Sequence, residues 1–317
     1  MRPVVVLLGA TATGKSALAL RLAEALDGEI VNADALQVYR GFDVGTGKAT
    51  AAERERVAHH LLDIAGPDQS LSAGELARRA RTVIAELRAR DRLPIVVGGS
   101  GLYLRALLAG ISAMPPVDTR VRDWLRKERV RAGLPALRRW LRVLDAEAAA
   151  RTTEGDTQRT LRALEVALSS GRPQGWWIAR QPFADGALAA IRVGLTVPRG
   201  VLYDRIADRV SAMVAAGWVG EVEGLLNAGW DLGLPAFQAI GYRQLVQHVR
   251  GGMTLDQAVE ETVRATRRFA KRQSTWFRRE PDVAWFQADD PAATFYRVLD
   301  FLKNRGAGRS PDGETCD

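Results

Sequence analysis

The feature that most constrains this chain is Gly9–Ser16, GATATGKS, which lies between the apolar residues 4–8 and a leucine-rich run from Leu18 to Leu26. This order predicts a buried strand, a glycine-rich loop and a helix. The spacing G-x-x-x-x-G-K-[ST] lets backbone N–H groups surround a di- or triphosphate, with Lys15 as a point charge and the Ser16 hydroxyl on Mg²⁺. The predicted phosphate-binding residues are Gly9, Ala10, Thr11, Ala12, Thr13, Gly14, Lys15 and Ser16.

Two more predicted strands end in residues suited to chemistry. Residues 29–33 lead into Asp34, and Leu93–Val97 leads into Gly98, Gly99 and Ser100. Ligands bind beyond the carboxyl ends of parallel strands, so we expect Asp34 beside the phosphate loop as a catalytic group. The alternative is that Asp34 caps a helix starting at Ala35. Ser100 takes the position where ATPases usually carry a Mg²⁺-binding aspartate.

The chain is predicted to divide into a sheet core and a helical insertion. From about Met114 the sequence becomes helical and arginine-rich, and Ile191–Pro198 returns to the alternating pattern of a strand. We therefore expect an α/β fold with a parallel, P-loop NTPase-like sheet. The expected parts are residues 1–115, core; 116–188, helical insertion; 189–304, core with a basic C-terminal helix; and 305–317, a disordered tail.

Positive charge is concentrated in particular segments. The net charge of +8 and the pI near 10.1 favour a polyanionic partner. Residues 158–162 lie at the start of a predicted helix, where basic side chains need a compensating anion, either a phosphate or a carboxylate such as Glu165. Residues 202–226 read as one long amphipathic run that carries Arg205 and Arg209 one turn apart.

A second basic segment lies near the end of the core. Arg264–Arg279 has seven basic residues and no acidic one, with three aromatic residues interleaved. Such a helix can follow a nucleic-acid backbone while its aromatic residues pack inward or stack on a base. The alternative is a solvated basic face over a buried aromatic seam.

Several classes of protein are disfavoured by composition. Cys316 is the single cysteine, which excludes a disulfide framework and a cysteine metal site. His59 and His60 are adjacent and lack the spacing of a zinc pair. No apolar run approaches membrane-spanning length, so we expect a soluble, cytoplasmic protein.

Seven segments, in this order, resemble the tRNA dimethylallyltransferases. They are GATATGKS (9–16), DALQVYRGFDVGTGK (34–48), HHLLDI (59–64), PIVVGGSGLYLRALLAG (94–110), DTQRTLRALEV (156–166), AIGYRQL (239–245) and ATRRFAKRQSTWFRR (265–279). The family's fold, a phosphate-loop α/β core with a helical insertion, agrees with the independent prediction. Ala35 replaces the common serine of the family, and Ser100 replaces the common threonine. The zinc finger of eukaryotic members is absent, which points to the bacterial type.

The resemblance implies that a dimethylallyl group passes from dimethylallyl diphosphate to N6 of the adenosine 3′ of the anticodon, position 37 of tRNA. Asp34 would be the general base, with Lys15 and Ser100 as further catalytic groups. Arg205 or Arg209 would add to the diphosphate site, and Ser16 would bind Mg²⁺, the expected cofactor. The implied tRNA-binding residues are Asp34, Ala35, Leu36, Gln37, Ser100, Arg122, Gln158, Arg159, Arg162, Arg243, Arg268, Lys271 and Arg272. The partners are tRNA and dimethylallyl diphosphate, with no membrane, and the chain is expected to be monomeric.

Three other functions compete with this interpretation. A small-molecule kinase also pairs a phosphate loop with an aspartate, but it has no need of the basic segments. The same segments disfavour an isopentenyltransferase acting on free adenine nucleotides. A non-catalytic RNA-binding protein has no need of Lys15, Ser16 and Asp34 together.

Overall fold

The computed structural model describes residues 2–69, 71–110, 114–180 and 187–308. It divides into two compact units, Met1–Leu108 with Leu188–Asp317, and Ala109–Ala187. The sequence predicted the helical insertion at 116–188, and the second unit begins earlier than this prediction, at Ala109. No helix within the described residues is long and apolar enough to cross a membrane.

The first unit is built on a six-stranded parallel sheet. Its strands are β1 (Val4–Gly9), β2 (Gly28–Asn32), β3 (His59–His60), β4 (Leu93–Val97), β5 (Ala190–Thr196) and β6 (Val283–Gln287), in the order β3-β2-β4-β1-β5-β6. The predicted parallel α/β class is confirmed. The strand His59–His60 was not predicted, because two residues show no periodicity.

Both faces of this sheet are buried, since alternate residues of each strand point to opposite sides. Along β1, Val4, Val6 and Leu8 join one apolar cluster, and Val5 and Leu7 join the other. The helices of this unit are α1 (Lys15–Ala25), α2 (Ala51–Arg56), α3 (Ala73–Ala89), α4 (Gly101–Ala109), α9 (Arg199–Ala215), α10 (Trp218–Asn227), α11 (Tyr242–Val249), α12 (Leu255–Phe277) and α13 (Pro291–Lys303). Helices α1 and α13 cover the second face.

The second unit is helical. It contains α5 (Thr119–Leu144), α6 (Ala146–Arg151), α7 (Thr157–Ser170) and α8 (Gln174–Arg180). Helix α5 is kinked at Gly133, whose φ is 75°. Leu125, Leu137, Leu141 and Leu164 form its own core. A small separate core explains why this segment folds as a unit.

Two predictions about the first unit were wrong. The run 202–226 is two helices, because Gly217, with φ of 96°, ends the continuity between α9 and α10. The disordered tail was expected from Arg305, but Ala307 is fully buried and its carbonyl accepts from Arg2 at 2.8 Å. The rest of the tail, residues 309–317 with Cys316, lies outside the described residues.

Candidate active site

The phosphate loop joins β1 to α1 and is shaped by its backbone. Gly9 has φ of 145°, and a Cβ there would lie 2.6 Å from the Leu195 carbonyl oxygen, so only glycine fits. Thr13 Oγ1 donates to the Ala10 carbonyl at 2.9 Å. Gly14 precedes α1, and no side chain caps that helix. The N–H groups of its first turn are therefore available to an anion.

A cavity of about 480 Å³ lies against this loop. The predicted residues that line it are Thr11, Ala12, Gly14, Lys15, Ser16, Asp34, Gln37, Arg205 and Arg209. Gly9, Ala10 and Thr13 instead border a second cavity of about 280 Å³ on the other side of the loop. These three residues affect the first cavity only indirectly, because they fix the conformation of the loop.

Lys15 is the buried amine of the site. Its side chain is 9% exposed, and Nζ donates to the Ala10 carbonyl at 2.6 Å. Burial, reinforced by the charge of Arg209, lowers the pKa of Lys15 to about 7, although Asp34 acts in the opposite direction. The charge of Lys15 therefore depends on what the cavity holds.

The two arginines of α9 differ in their remaining capacity for hydrogen bonds. Arg205 donates to the carbonyls of Ala288 at 2.9 Å and Asp289 at 3.0 Å. Arg209 makes one such bond, to Thr46 O at 3.3 Å. Burial also lowers the pKa of Arg209, partly offset by the charge of Asp34. Arg209 thus keeps more donors for an anion in the cavity.

Asp34 caps a turn instead of a helix. Its Oδ1 accepts from Leu36 N at 2.8 Å, and its own N–H donates to Asn32 Oδ1 at 3.0 Å. No helix starts at Ala35. Within the described ranges, Oδ2 has no hydrogen-bond partner. One carboxylate oxygen therefore fixes the backbone, and the other is available for chemistry.

Ser100 differs from its expected position. It does not line the cavity, and its Oγ accepts from Ala35 N at 3.3 Å. Gln37 does line the cavity, and its Nε2 donates to the carbonyls of Thr46 and Gly47, both at 3.2 Å. Through its hydrogen bond with Ala35 N, Ser100 therefore holds the 34–37 segment from outside the cavity.

Gln273 is a site residue that the sequence did not single out. This α12 side chain is 6% exposed and lines the cavity. Its Oε1 accepts from Thr11 N at 2.8 Å, and its Nε2 donates to the Gly99 carbonyl at 2.7 Å. Gln273 therefore joins the phosphate loop to the loop after β4. Its place inside the RQSTW segment of the family motif was the only signal.

The other predicted RNA-binding residues lie in two groups. In the first unit, Arg243, Arg268, Lys271 and Arg272 are exposed. In the second unit, Arg122 and Arg162 share Glu165, at 3.2 and 3.4 Å, and Arg159 pairs with Asp156 at 3.4 Å. At the start of α7 the basic side chains are therefore paired with carboxylates, the second of the two compensating anions considered from the sequence. Arg159 and Arg162 keep 66% and 40% of their side chains exposed, so both remain accessible to a phosphate.

Metal binding is limited by the residue types present. Among the described residues, no group of three His, Cys, Asp or Glu side chains could hold a metal ion. His60 instead binds Glu29 at 2.7 Å, and His59 Nδ1 lies 2.8 Å from the Val57 carbonyl. Ser16 is exposed at the cavity, and its hydroxyl bonds to nothing else that the structure describes.

Comparison with known proteins gives consistent matches. The IPP transferase family model matches residues 37–280. The tRNA dimethylallyltransferase of Syntrophobacter fumaroxidans is 49% identical over 297 residues, or 94% of this chain and 87% of that protein. The solved tRNA isopentenylpyrophosphate transferase of Bacillus halodurans is 35% identical with a TM-score of 0.70, over 96% of this chain and 97% of that one. A eukaryotic dimethylallyltransferase acting on tRNA has a TM-score of 0.78 at 23% identity, over 99% of this chain and 82% of that one, a likeness of fold.

Proposed function

The chain belongs to the IPP transferase family, and we propose that it transfers a dimethylallyl group from dimethylallyl diphosphate to N6 of adenosine 37 of tRNA. The observation that carries this proposal is the single cavity shared by the phosphate loop, Asp34 and Gln37. A diphosphate ester and a target base can meet there. The proposed place of action is the cytoplasm, where tRNA is modified.

The reaction exchanges one bond for another at C1 of the dimethylallyl group. The N6 lone pair forms the new C–N bond while the C–O bond to diphosphate breaks. N6 is a weak nucleophile because its lone pair is delocalised into the ring, so removal of its proton assists the attack. Asp34 Oδ2 is the proposed acceptor of that proton, since Oδ1 is held by Leu36 N.

The negative charge that develops on diphosphate is stabilised by the loop. Lys15, the N–H groups at the start of α1 and Arg209 are the proposed donors. We favour Arg209 over Arg205, because both terminal nitrogens of Arg205 already bind carbonyls. Ser100 is proposed to act indirectly, through the Ala35 amide.

A Mg²⁺ ion fits this donor set as a partner of the diphosphate. The Ser16 hydroxyl would supply one oxygen ligand, and Mg²⁺ commonly takes its remaining ligands from phosphate and water. The ion would neutralise charge on the leaving group. The described side chains around the cavity do not form a metal site of their own.

Delivery of the base requires RNA contacts away from the cavity. The target base must leave its stack in the anticodon loop to reach Asp34. Arg243, Arg268, Lys271 and Arg272 of the first unit are proposed to bind the RNA. Arg122, Gln158, Arg159 and Arg162 of the second unit complete the proposed set.

The test is nucleoside mass analysis of undermodified tRNA after incubation with the protein, Mg²⁺ and dimethylallyl diphosphate. A parallel reaction contains ATP in place of the prenyl donor. A gain of one dimethylallyl group on adenosine, only with the prenyl donor, is expected. ATP consumption with no gain on the RNA would overturn the proposal in favour of a kinase.

A further inference from the structure

Glu221 has an unusual set of partners for a side chain outside the cavity. Its Oε2 accepts from the backbone N–H groups of Asp43 at 2.8 Å and Val44 at 2.6 Å. Its Oε1 accepts from Gly45 N at 3.3 Å and from the Tyr242 hydroxyl at 2.6 Å. One carboxylate on α10 therefore holds three consecutive amides of a turn that precedes it by almost 180 residues in the sequence.

The position of this turn, residues 43–47, is also fixed by packing. Tyr242 is fully buried, with its ring 4.7 Å from that of Phe42 and 5.5 Å from that of Trp218. A Cβ on Gly45 would lie 2.0 Å from the Trp218 indole nitrogen, so the turn contacts this ring directly. Burial raises the pKa of Tyr242, which keeps its hydroxyl a donor to Glu221.

The opposite end of the 43–47 turn faces the cavity. Its last two carbonyls, Thr46 O and Gly47 O, accept the amide hydrogens of Gln37, both at 3.2 Å. With both hydrogens engaged, Gln37 offers only its Oε1, an acceptor, to a ligand. An exocyclic adenine amine carries two hydrogens, so Asp34 and Gln37 Oε1 can each accept one.

We propose that Glu221 is a positioning residue that sets the orientation of the Gln37 amide through the 43–47 turn. Glu221 binds the N–H groups at one end of the turn, and the turn's carbonyls bind Gln37 at the other. The fixed amide favours a base that presents an amino group. This inference rests on the proposed function, because it assigns Gln37 to the acceptor adenosine.

The test compares Glu221→Gln with Glu223→Gln, using an anticodon stem-loop RNA and dimethylallyl diphosphate. Glu223 is exposed on the same helix and makes no described contact, so it is the matched control. In Glu221→Gln the NH2 end of the amide cannot accept from a backbone N–H, although the Tyr242 hydroxyl can rotate to accept from it, so the side chain can no longer hold all three N–H groups and the turn is displaced. We expect KM for the RNA to rise about tenfold and KM for dimethylallyl diphosphate to rise less, because Thr46 O of the turn also accepts from Arg209 at 3.3 Å.

A double-mutant cycle with Gln37→Ala separates positioning from general loosening. If Glu221 acts through Gln37, Glu221→Gln adds no further rise in RNA KM to Gln37→Ala. Losses that multiply would overturn the proposal, as would a folded Glu221→Gln protein that behaves like Glu223→Gln.

If Glu221→Gln does not fold, Tyr242→Phe removes one donor to Glu221 and keeps the ring. A rise of about threefold in RNA KM supports the proposal, and no rise overturns it. Absence of transfer by the unmodified protein would instead contradict the proposed function.

Discussion

At the scale of single residues, Asp34 and Gln37 each divide their polar atoms between the protein and the cavity. Asp34 uses one oxygen for the turn and one for the cavity, and Gln37 uses its amide hydrogens for the 43–47 turn and its oxygen for the cavity. Groups held in this way lose little rotamer freedom when a substrate binds. The proposed chemistry uses the side-chain oxygens that these hydrogen bonds leave free.

Asp34→Asn tests this division. An asparagine Oδ1 can still accept from Leu36 N, so the turn is retained, but the side chain can no longer take a proton. We expect kcat to fall by about 10²- to 10⁴-fold while RNA affinity changes little. Single-turnover kinetics and RNA binding by filter retention measure the two quantities. Equal losses in both would show that Asp34 is structural.

Lys15 gives the site a pH dependence of known sign. Its pKa of about 7 means that the amine is largely neutral at pH 8 before the diphosphate binds. Because the diphosphate prefers the ammonium form, binding at pH 8 is expected to take up a proton, and affinity weakens by up to tenfold per pH unit above 7. Calorimetry in two buffers of different ionisation enthalpy measures the uptake. Lys15→Arg is expected to abolish it, and buffer-independent heats with the unmodified protein would contradict the assignment.

Residues in the phosphate motif and at strand ends could be predicted from the sequence, because their roles follow from local order. Asp34 was placed by the strand that precedes it. Glu221 and Gln273 could not be predicted, since their partners lie 178 and 262 residues away and depend on how α10 and α12 pack. A glutamate or glutamine on an amphipathic helix otherwise reads as a solvated side chain.

At the scale of elements, α12 carries two different faces. Gln273 and Phe277 are buried toward the sheet, while Arg268, Lys271 and Arg272 are exposed. The buried seam and the exposed basic face agree with both interpretations of the basic segment, and RNA binding by that face stays a prediction. The same period of 3.6 residues that the sequence displays separates the two faces.

Arg272→Ala tests whether the exposed face of α12 binds RNA. The Arg272 guanidinium lies over the Phe269 ring at 5.7 Å, which positions it without neutralising it. We expect weaker tRNA binding, with the slope of log K against log salt reduced by about one. Lys303→Ala on α13 removes the same charge elsewhere and is expected to leave the slope nearly unchanged. Equal slopes for both variants would place Arg272 among solvated residues.

Element boundaries were less predictable than element types. The break at Gly217 has no proline and lies inside a continuous apolar pattern, so the sequence favoured one helix over residues 202–226. The deciding factor is the positive φ of one glycine, which a periodic apolar pattern does not contain.

At the scale of the whole molecule, the candidate site of the first unit lies at one end of the strands, and a cluster of ion pairs lies toward the other end. The cavity lies beyond the carboxyl ends of the strands, and near the start of β2 Glu29 binds His60, Arg90 and Arg92. Glu29 is 5% exposed. Burial tends to raise its pKa, but the hydrogen bond from His60 and the charge of Arg90 outweigh it, so the pKa of Glu29 lies below its usual value.

This cluster predicts how the fold responds to acid. A carboxylate whose pKa is lower in the folded state stabilises the protein above its unfolded pKa of about 4.3, and that contribution is lost as the pH falls through the folded value. Glu29→Gln is expected to cost about 1–3 kcal/mol of unfolding free energy at pH 7 and to flatten the loss below pH 4. Glu24→Gln breaks an exposed pair with Arg56 and is expected to cost under about 1 kcal/mol. Urea unfolding at several pH values measures both, and equal costs would contradict the prediction.

The contact between Gln273 and Thr11 has a consequence for biosynthesis. A ribosome releases the phosphate loop first and Gln273 262 residues later. Throughout that interval the nascent chain contains the whole motif without the side chain that joins Thr11 to Gly99. We expect nascent chains that end before α12 to bind dimethylallyl diphosphate poorly, although every residue of the motif has been translated. Substrate capture is therefore expected only after α12 has been translated.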